Sequence, residues 1–159
     1  MNMDYALIIV EWFIVIGLLI KFIPRNKVRE AFVAFAFKQL ITWILGLSVV
    51  EMGLIEYPVR FFPQANKTSF TFEYFAYPAI CAIFNVNFTK SKSLYKRFLY
   101  YFYYCTSMTI IEVIVEKYTS IITYIHWSWF TTWISLFVTF YMTRIFYKWF
   151  YRLNQSDLF

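Results

Sequence analysis

The chain has 159 residues, of which 61% are hydrophobic and 25% aromatic, and it carries a formal net charge of +6. A chain of this length has too little interior to hide so much apolar surface from water, so its composition excludes an ordinary water-soluble domain. The basic residues flank apolar segments instead of forming one polar face, which argues against nucleic-acid binding and favours contact with anionic lipid headgroups.

Five apolar segments follow one another along the chain. A helix crosses the ~30 Å hydrocarbon core of a bilayer in about 20 residues, so each segment is long enough to span a membrane. The predicted fold class is all-α: a single transmembrane domain over residues 1–159, with a bundle of five helices at residues 3–23, 31–52, 69–88, 98–116 and 127–147. The stretch 117–126 is left open as a loop, an interfacial segment or part of a helix.

Lysine and arginine gather in three clusters between these segments. Basic residues stay on the cytoplasmic side during insertion, so with five spans the clusters predict an outside N-terminus and a cytoplasmic C-terminus. Lys38, on the second helix, is close enough to the same side for its side chain to snorkel there. The clusters are Lys21, Arg25, Lys27 and Arg29; Lys90, Lys92, Lys96 and Arg97; and Arg144, Lys148 and Arg152.

Tryptophan and tyrosine mark both ends of the last helix. Trp127 and Trp129 lie at its outer start, and Trp149 and Tyr151 lie at its inner end. Amphipathic rings prefer the headgroup boundary, so we expect these four side chains to act as interfacial anchors.

The acidic residues are distributed as unevenly as the basic ones. Only Glu30 and Asp157 lie on the predicted inner side. A carboxylate near the bilayer centre costs about 2.5–3.5 kcal/mol on insertion scales, so Glu11 and Glu112, which lie within spans, need a neutralising proton, a partner or a water-filled cavity. The acids on the outer side are Asp4, Glu11, Glu51, Glu56, Glu73, Glu112 and Glu116.

Small and polar residues recur at helical spacing on three of the helices. Such stripes allow helices to approach closely and to hydrogen-bond across the contact, so these faces are predicted to pack against protein. The predicted helix-packing residues are Thr42, Gly46, Thr109, Ser128, Thr132, Ser135 and Thr139.

Together these stripes predict a polar interior that opens toward the outer side. Glu112 and Glu116 lie one helical turn apart and repel when both are ionised, which favours a proton or a cation between them. The candidate binding residues for a cation, a proton or a cationic solute are Glu11, Glu73, Glu112, Glu116 and His126. Alternatively, His126 bonds a lipid headgroup, and the deeper glutamates are protonated or hold the helices in register by pairing with Lys117, Arg60 or Lys38.

Pro78 interrupts the third predicted helix. Its ring removes the hydrogen bond that the carbonyl of Tyr74 would otherwise accept. A kink is therefore predicted there, with a carbonyl free to face a cavity.

The sequence contains no glycine-rich phosphate loop, no nucleophile elbow and no histidine set at metal-binding spacing. Cys81 and Cys105 fall inside predicted spans, where we expect small packing residues instead of a disulfide or a metal pair. The sequence therefore predicts no catalytic residue and no cofactor, and it favours a protein that is not an enzyme. Whether the carboxylates hold a metal ion stays open.

Three short aromatic motifs stand at the ends of the predicted helices: Glu56-Tyr57-Pro58, Glu73-Tyr74-Phe75-Ala76-Tyr77-Pro78 and Tyr124-Ile125-His126-Trp127. With these motifs and a last helix rich in Trp and Thr, the chain resembles an uncharacterised family of small multipass membrane proteins from endospore-forming Gram-positive bacteria. The resemblance implies a bacterial cytoplasmic membrane. It implies no catalytic or binding residue, because the family has no assigned chemistry.

Three functional hypotheses follow. The leading one is a multipass cell-membrane protein that binds or passes a cation, a proton or a cationic small molecule at the outer carboxylates. The second is a non-catalytic interaction or assembly subunit, whose stripes receive the helices of a membrane protein partner or of a second copy. The third is a membrane-embedded enzyme acting on lipid headgroups, which needs Glu116 and His126 within about 3 Å of a shared proton.

Overall fold

The computed structural model describes residues 3–88 and 93–151. The predicted all-helical class is confirmed, because five α-helices make up most of this part of the chain. Two strands of two residues each pair as a short antiparallel ribbon. The elements are α1 (Met3–Phe22), α2 (Val28–Glu51), β1 (Ile55–Glu56), α3 (Tyr77–Val86), α4 (Leu94–Tyr118), β2 (Thr123–Tyr124) and α5 (Trp129–Phe150).

Within the described residues, three helices are long and apolar enough to cross a membrane: α1, α2 with the turn Arg25–Lys27 before it, and α4. The 22 residues of α5 are long enough, but its tryptophan, hydroxyl and basic side chains lower its mean hydropathy. The ten residues of α3 are apolar, but at 1.5 Å per residue they cover only about 15 Å. The third predicted segment is therefore shorter than the expected 69–88.

A π turn, Phe72–Ala76, leads directly into α3, and the two together form one helical segment, Phe72–Val86. Pro78 lies in the first turn of α3, directly after the π turn, where a residue without an N–H group is tolerated. The carbonyl of Tyr74 accepts a hydrogen bond from Gln39 Nε2 at 2.8 Å, and the carbonyl of Glu73 accepts one from Thr42 Oγ1 at 2.6 Å. Side chains of α2 thus satisfy the carbonyls that the irregular backbone frees.

The ribbon of β1 and β2 joins the connections after α2 and α4 at one end of the bundle, which we call the strand end. Ile55 lies opposite Tyr124 in the ribbon. The stretch 117–126 is therefore mainly a connection, because α4 ends at Tyr118 and β2 follows.

Gly53 ends α2 at the strand end. Its φ of 68° is the left-handed conformation that glycine adopts at low cost. The N–H of Gly53 bonds to the carbonyl of Val50 at 3.0 Å, and the N–H of Leu54 bonds to the carbonyl of Val49 at 3.1 Å. These two bonds form a Schellman motif, which turns the chain directly into β1.

The described members of the three basic clusters lie at the opposite end, which we call the basic end. There Lys27 Nζ donates to the carbonyl of Val86 at 3.3 Å, and the Tyr147 hydroxyl donates to Glu30 Oε2 at 2.5 Å. Tyr100, near the start of α4, donates to the carbonyl of Asn87 at 3.1 Å. Lys90, Lys92, Arg152 and Asp157, for which the sequence predicts a position on the inner side, lie outside the described residues.

Three basic side chains at this end differ from the expectation of headgroup contact. Arg97, Arg144 and Lys148 are buried within the bundle, whereas Lys21 and Arg25 are exposed. The guanidinium of Arg144 lies 4.2 Å from the centre of the Phe88 ring. Among the described members of the clusters, these three side chains are therefore not presented at the surface.

Lys38 does not snorkel, and the sequence-based expectation for it is wrong. Its side chain is 0% exposed, because α5 packs against α2 at this level. Lys38 Nζ donates a hydrogen bond to Thr139 Oγ1 and lies 4.6 Å from the centre of the Phe140 ring. The Lys38 ammonium group is therefore stabilised by the Thr139 hydroxyl and the Phe140 ring inside the bundle, and not by lipid headgroups.

The interior of the bundle holds many polar side chains beside its apolar clusters, and much of its exterior is apolar. Large apolar side chains on α1, including Phe13 and Ile20, are more than two-thirds exposed. Burial of polar groups beneath an apolar surface is the reverse of a water-soluble domain and agrees with three helices able to cross a membrane. The buried polar side chains include Lys38, Thr42, Thr68, Glu73, Asn85, Thr109, Glu112, Thr132, Thr139 and Thr143.

The predicted helix-packing residues differ in how deeply they are buried. Thr42, Gly46, Thr109, Thr132 and Thr139 are buried, and Ser135 is half-buried. Ser128 is exposed and caps α5 instead, with its Oγ accepting a bond from the Thr131 N–H at 3.3 Å.

The two cysteines lie in the apolar part of the core. Cys81 and Cys105 are both free and buried, and they pack in one cluster with Phe84 and Phe140.

Adding a side chain at Gly46 is expected to destabilise the protein. A Cβ there would lie 2.6 Å from Glu73 Cγ and 2.8 Å from Thr68 Oγ1, and both of these side chains are buried. Overpacking of a tight core costs about 1–3 kcal/mol, so Gly46→Ala should lower the Tm measured in detergent. Gly17→Ala is the matched control, because no atom lies within 4 Å of its added Cβ. Equal losses in the two variants would contradict close packing at Gly46.

Candidate functional site

A cavity of about 130 Å³ lies inside the bundle near the strand end, between α2, the π turn, α4 and α5. Glu73 and Glu112 both line it, and each side chain is only 5% exposed. One water occupies about 30 Å³ in the liquid, so the cavity has room for a few waters or for a ligand of a few heavy atoms. The structure thus brings two of the predicted site residues together.

Three hydroxyl groups donate hydrogen bonds to the Glu112 carboxylate. Tyr124 and Thr132 donate to Oε1, at 2.5 Å and 2.8 Å, and the Tyr77 hydroxyl donates to Oε2. Thr132 Oγ1 also accepts a bond from Trp127 Nε1 at 2.8 Å, so its own proton is available for Glu112. Hydrogen bonds of this kind stabilise the ionised form of a carboxyl group.

Glu73 has a less complete set of partners. The Tyr57 hydroxyl donates to Oε1, whereas Oε2 is buried and has no hydrogen-bond partner. Thr68 Oγ1, which lies with Glu73 against Gly46, is also buried without a partner. Glu73 therefore lines the cavity with fewer hydrogen-bond donors than Glu112 has.

Neither carboxylate contacts a basic side chain in the described part of the chain. Arg60 donates to the backbone carbonyls of Tyr57 and Asn66, and the Lys117 ammonium lies 5.6 Å from the centre of the Tyr118 ring. Lys38 bonds to Thr139, as described above. The predicted alternative of pairing with these three bases is thus not observed, and the buried carboxylates need a proton, a bound cation or hydrogen bonds as compensation.

The β1–β2 ribbon positions two of the tyrosine donors. Tyr57 follows β1 and Tyr124 ends β2, so the ribbon holds both hydroxyls against the carboxylates. Burial raises the pKa of the Tyr57 hydroxyl well above its usual range, and the charge of Glu73 adds to this shift. Burial and the charge of Glu112 raise the pKa of Tyr124 in the same way. Both tyrosines therefore keep their protons at neutral pH and remain donors.

Alkaline pH is expected to destabilise the protein through these two tyrosines. In the unfolded chain they ionise near their ordinary pKa of 10.0, while in the folded protein they stay protonated. Above that pH the unfolded state binds fewer protons than the folded state, so the free energy of unfolding falls as the pH rises. Thermal unfolding measured across alkaline pH should show this fall, with a shallower slope in the double variant Tyr57→Phe/Tyr124→Phe. An equally steep fall in that variant would assign the effect to other groups.

The other three predicted binding residues do not line this cavity. Glu11 lies in a separate apolar groove of about 340 Å³ beside α1, and Tyr77 and Glu112 line both spaces. Glu116 is half-buried and His126 is exposed. Among the described residues, the side chains of Glu116 and His126 share no hydrogen bond.

Sequence analysis missed the tyrosines that hold the two carboxylates. Tyr57 and Tyr124 belong to the aromatic motifs quoted above, and both lie in connections predicted on the same side as the outer acids, which was the available signal. Trp127 was predicted as an interfacial anchor, but it is half-buried and lines the cavity, whereas Trp129 and Trp149 are exposed.

The donor set at the cavity consists of carboxylate and hydroxyl oxygens. Within residues 3–88 and 93–151, no group of three or more His, Cys, Asp or Glu side chains could hold a metal ion. Oxygen donors of this kind do not suit the softer transition metals.

Comparisons with protein-family models, with curated proteins and with solved structures find no match to this chain.

Proposed function

We propose that the protein binds a small cation, or passes it across a membrane, at the cavity lined by Glu73 and Glu112. The observation that supports this most directly is the pair of carboxylates from separate segments at one buried cavity, with no basic partner among the described residues. A buried carboxylate is costly unless a proton, a cation or hydrogen bonds compensate it. The cavity provides space for that compensating species beside the Glu73 side chain.

We also propose that the chain crosses the bacterial cytoplasmic membrane five times, with its N-terminus outside. The described basic clusters share one end of the bundle, as the positive-inside rule requires for a cytoplasmic face. Labelling of single cysteines with a membrane-impermeant maleimide tests the orientation. Lys67→Cys, at the strand end, should react in intact cells, and Arg25→Cys, at the basic end, should react only after lysis. The opposite pattern would invert the orientation.

Uptake into reconstituted vesicles tests the function. With an inside-negative potential, vesicles containing the wild-type protein should accumulate at least one of H⁺, Na⁺, K⁺ and methylammonium above protein-free vesicles, or the purified protein should bind one of them saturably. The double variant Glu73→Gln/Glu112→Gln should do neither. Glu51→Gln/Glu56→Gln is the matched control, because both acids are exposed at the same end of the bundle. Equal activity in the wild type and the Glu73/Glu112 variant, or no activity with any of these cations, would contradict the proposal.

A further inference from the structure

We infer that Glu73 exchanges its proton for a small organic ammonium ion, while Glu112 stays ionised as a fixed charge. This inference rests on the proposed cation-binding function, and it names the class of ligand and the group that responds to it. It follows from the different surroundings of two carboxylates that line the same cavity.

The hydrogen bonds of Glu112 fit the ionised form. Tyr77, Tyr124 and Thr132 all donate to it, and both of its oxygens are occupied. The bond from Trp127 Nε1 leaves the proton of Thr132 directed at Glu112. All three of these hydroxyl groups already donate to Glu112, so a proton added to it would lack an acceptor among them unless one of the three turned away.

The surroundings of Glu73 fit a group that gains and loses a proton. Its side chain is 5% exposed, it has one donor, Tyr57, and its Oε2 atom has no partner. When the cavity holds no cation, an ionised Oε2 would be buried without compensation, so this oxygen carries the proton. A bound cation supplies the missing compensation and releases that proton.

The walls of the cavity favour an organic ammonium ion over a bare metal ion. Hard divalent metal ions take about six to eight oxygen ligands, whereas most of this wall is carbon, from side chains such as Leu45, Val49 and Leu136. An ammonium group can pair with the Glu73 carboxylate while its carbon atoms contact the aliphatic side chains. Tyr57 and Trp127 add aromatic rings of the kind that attract organic cations. The volume of about 130 Å³ limits the ligand to a few heavy atoms.

The exchange is balanced in atoms and charge. The ammonium ion enters, the O–H bond of the Glu73 carboxyl group breaks heterolytically, and the proton leaves to water, so that one positive charge replaces another. The cavity has one net negative charge before the exchange, from Glu112, and the same net charge after it. Such an exchange lets Glu73 ionise without adding a second net negative charge to the cavity.

Counting the protons released on binding tests the inference. The probe is methylammonium, titrated calorimetrically into the detergent-solubilised full chain in two buffers of different ionisation enthalpy. We expect nearly one proton released per ligand bound, and an affinity that rises about tenfold per pH unit while Glu73 is protonated. Glu73→Gln should release no proton, Glu112→Gln should bind more weakly with release retained, and Glu116→Gln should match the wild type.

The failures of the inference and of the proposed function can be distinguished. Binding of methylammonium without proton release, or with undiminished release in Glu73→Gln, would overturn the exchange at Glu73. Binding of Na⁺ or K⁺ but not methylammonium would overturn the ligand class and leave the proposed function standing. The wild-type proton count is informative by itself, so the test does not depend on the folding of any variant.

Discussion

Replacing Thr139 with valine is expected to lower the free energy of unfolding by about 3 kcal/mol. Lys38 is fully buried, and its ammonium group donates a hydrogen bond to Thr139 Oγ1. Valine has nearly the shape of threonine but accepts no hydrogen bond. The ammonium would keep only the Phe140 ring, at 4.6 Å, as a favourable neighbour inside the bundle.

Two further variants separate this loss from the general effect of removing a hydroxyl. Thr109→Val is the matched control, because Thr109 is buried and its hydroxyl donates only to the Cys105 carbonyl of its own helix, at 2.8 Å. It should cost less than about 1 kcal/mol. The double variant Lys38→Met/Thr139→Val should recover most of the stability, because it removes the buried charge as well. Chemical unfolding in detergent gives the free energy of unfolding of the wild type and of the three variants. Equal losses for Thr139→Val and Thr109→Val would contradict the role of Thr139.

Replacing Glu112 with glutamine is expected to weaken cation binding or flux at least tenfold, which corresponds to about 1.4 kcal/mol. The substitution removes the negative charge that the three hydroxyl donors stabilise. It also places an amide N–H₂ group, which cannot accept a hydrogen bond, against at least one donor among Tyr77, Tyr124 and Thr132. The cavity would then lose both a negative charge and part of the hydrogen-bond network that fixes its wall.

Glu116→Gln is the matched control for this variant. Glu116 lies one helical turn further along α4, is half-buried and does not line the cavity. Cation binding and flux measured with the Glu116→Gln variant should equal those of the wild type. The Tm of Glu112→Gln should be measured in parallel, so that a loss of binding is compared among folded proteins. Unchanged binding in a folded Glu112→Gln protein would remove Glu112 from the site.

Four of the five helices could be predicted from the sequence to within a few residues, because long apolar runs bounded by prolines, glycines and charges leave few alternatives. The first was predicted at residues 3–23 and is observed at Met3–Phe22. The third segment could not be predicted in the same way. Hydropathy does not show that the backbone at Phe72–Ala76 forms a π turn. Two carbonyls of this turn are bonded by Gln39 and Thr42 of α2, and such contacts between helices cannot be seen in the hydropathy of the segment.

The candidate site was predictable only in part. Carboxylates in apolar segments are costly, and that cost singled out Glu11 and Glu112, of which only Glu112 lines the cavity. The uneven distribution of the acids added Glu73. The tyrosine donors were not predictable, because Tyr57 reaches Glu73 only after β1 pairs with β2, a contact between distant parts of the chain. Lys38 was predicted to reach the headgroups because the length of its side chain is visible in the sequence, whereas the packing of α5 over it is not.

Equilibrium binding of radiolabelled methylammonium to the purified full-length protein tests most directly whether the cavity at Glu73 and Glu112 is a cation site. The wild type and the double variant Glu73→Gln/Glu112→Gln would be compared at equal protein concentration, after unfolding curves establish that both are folded. We predict saturable binding of one ligand per chain to the wild type and none to the variant. Saturable binding of the same affinity to both proteins would contradict a site at these carboxylates.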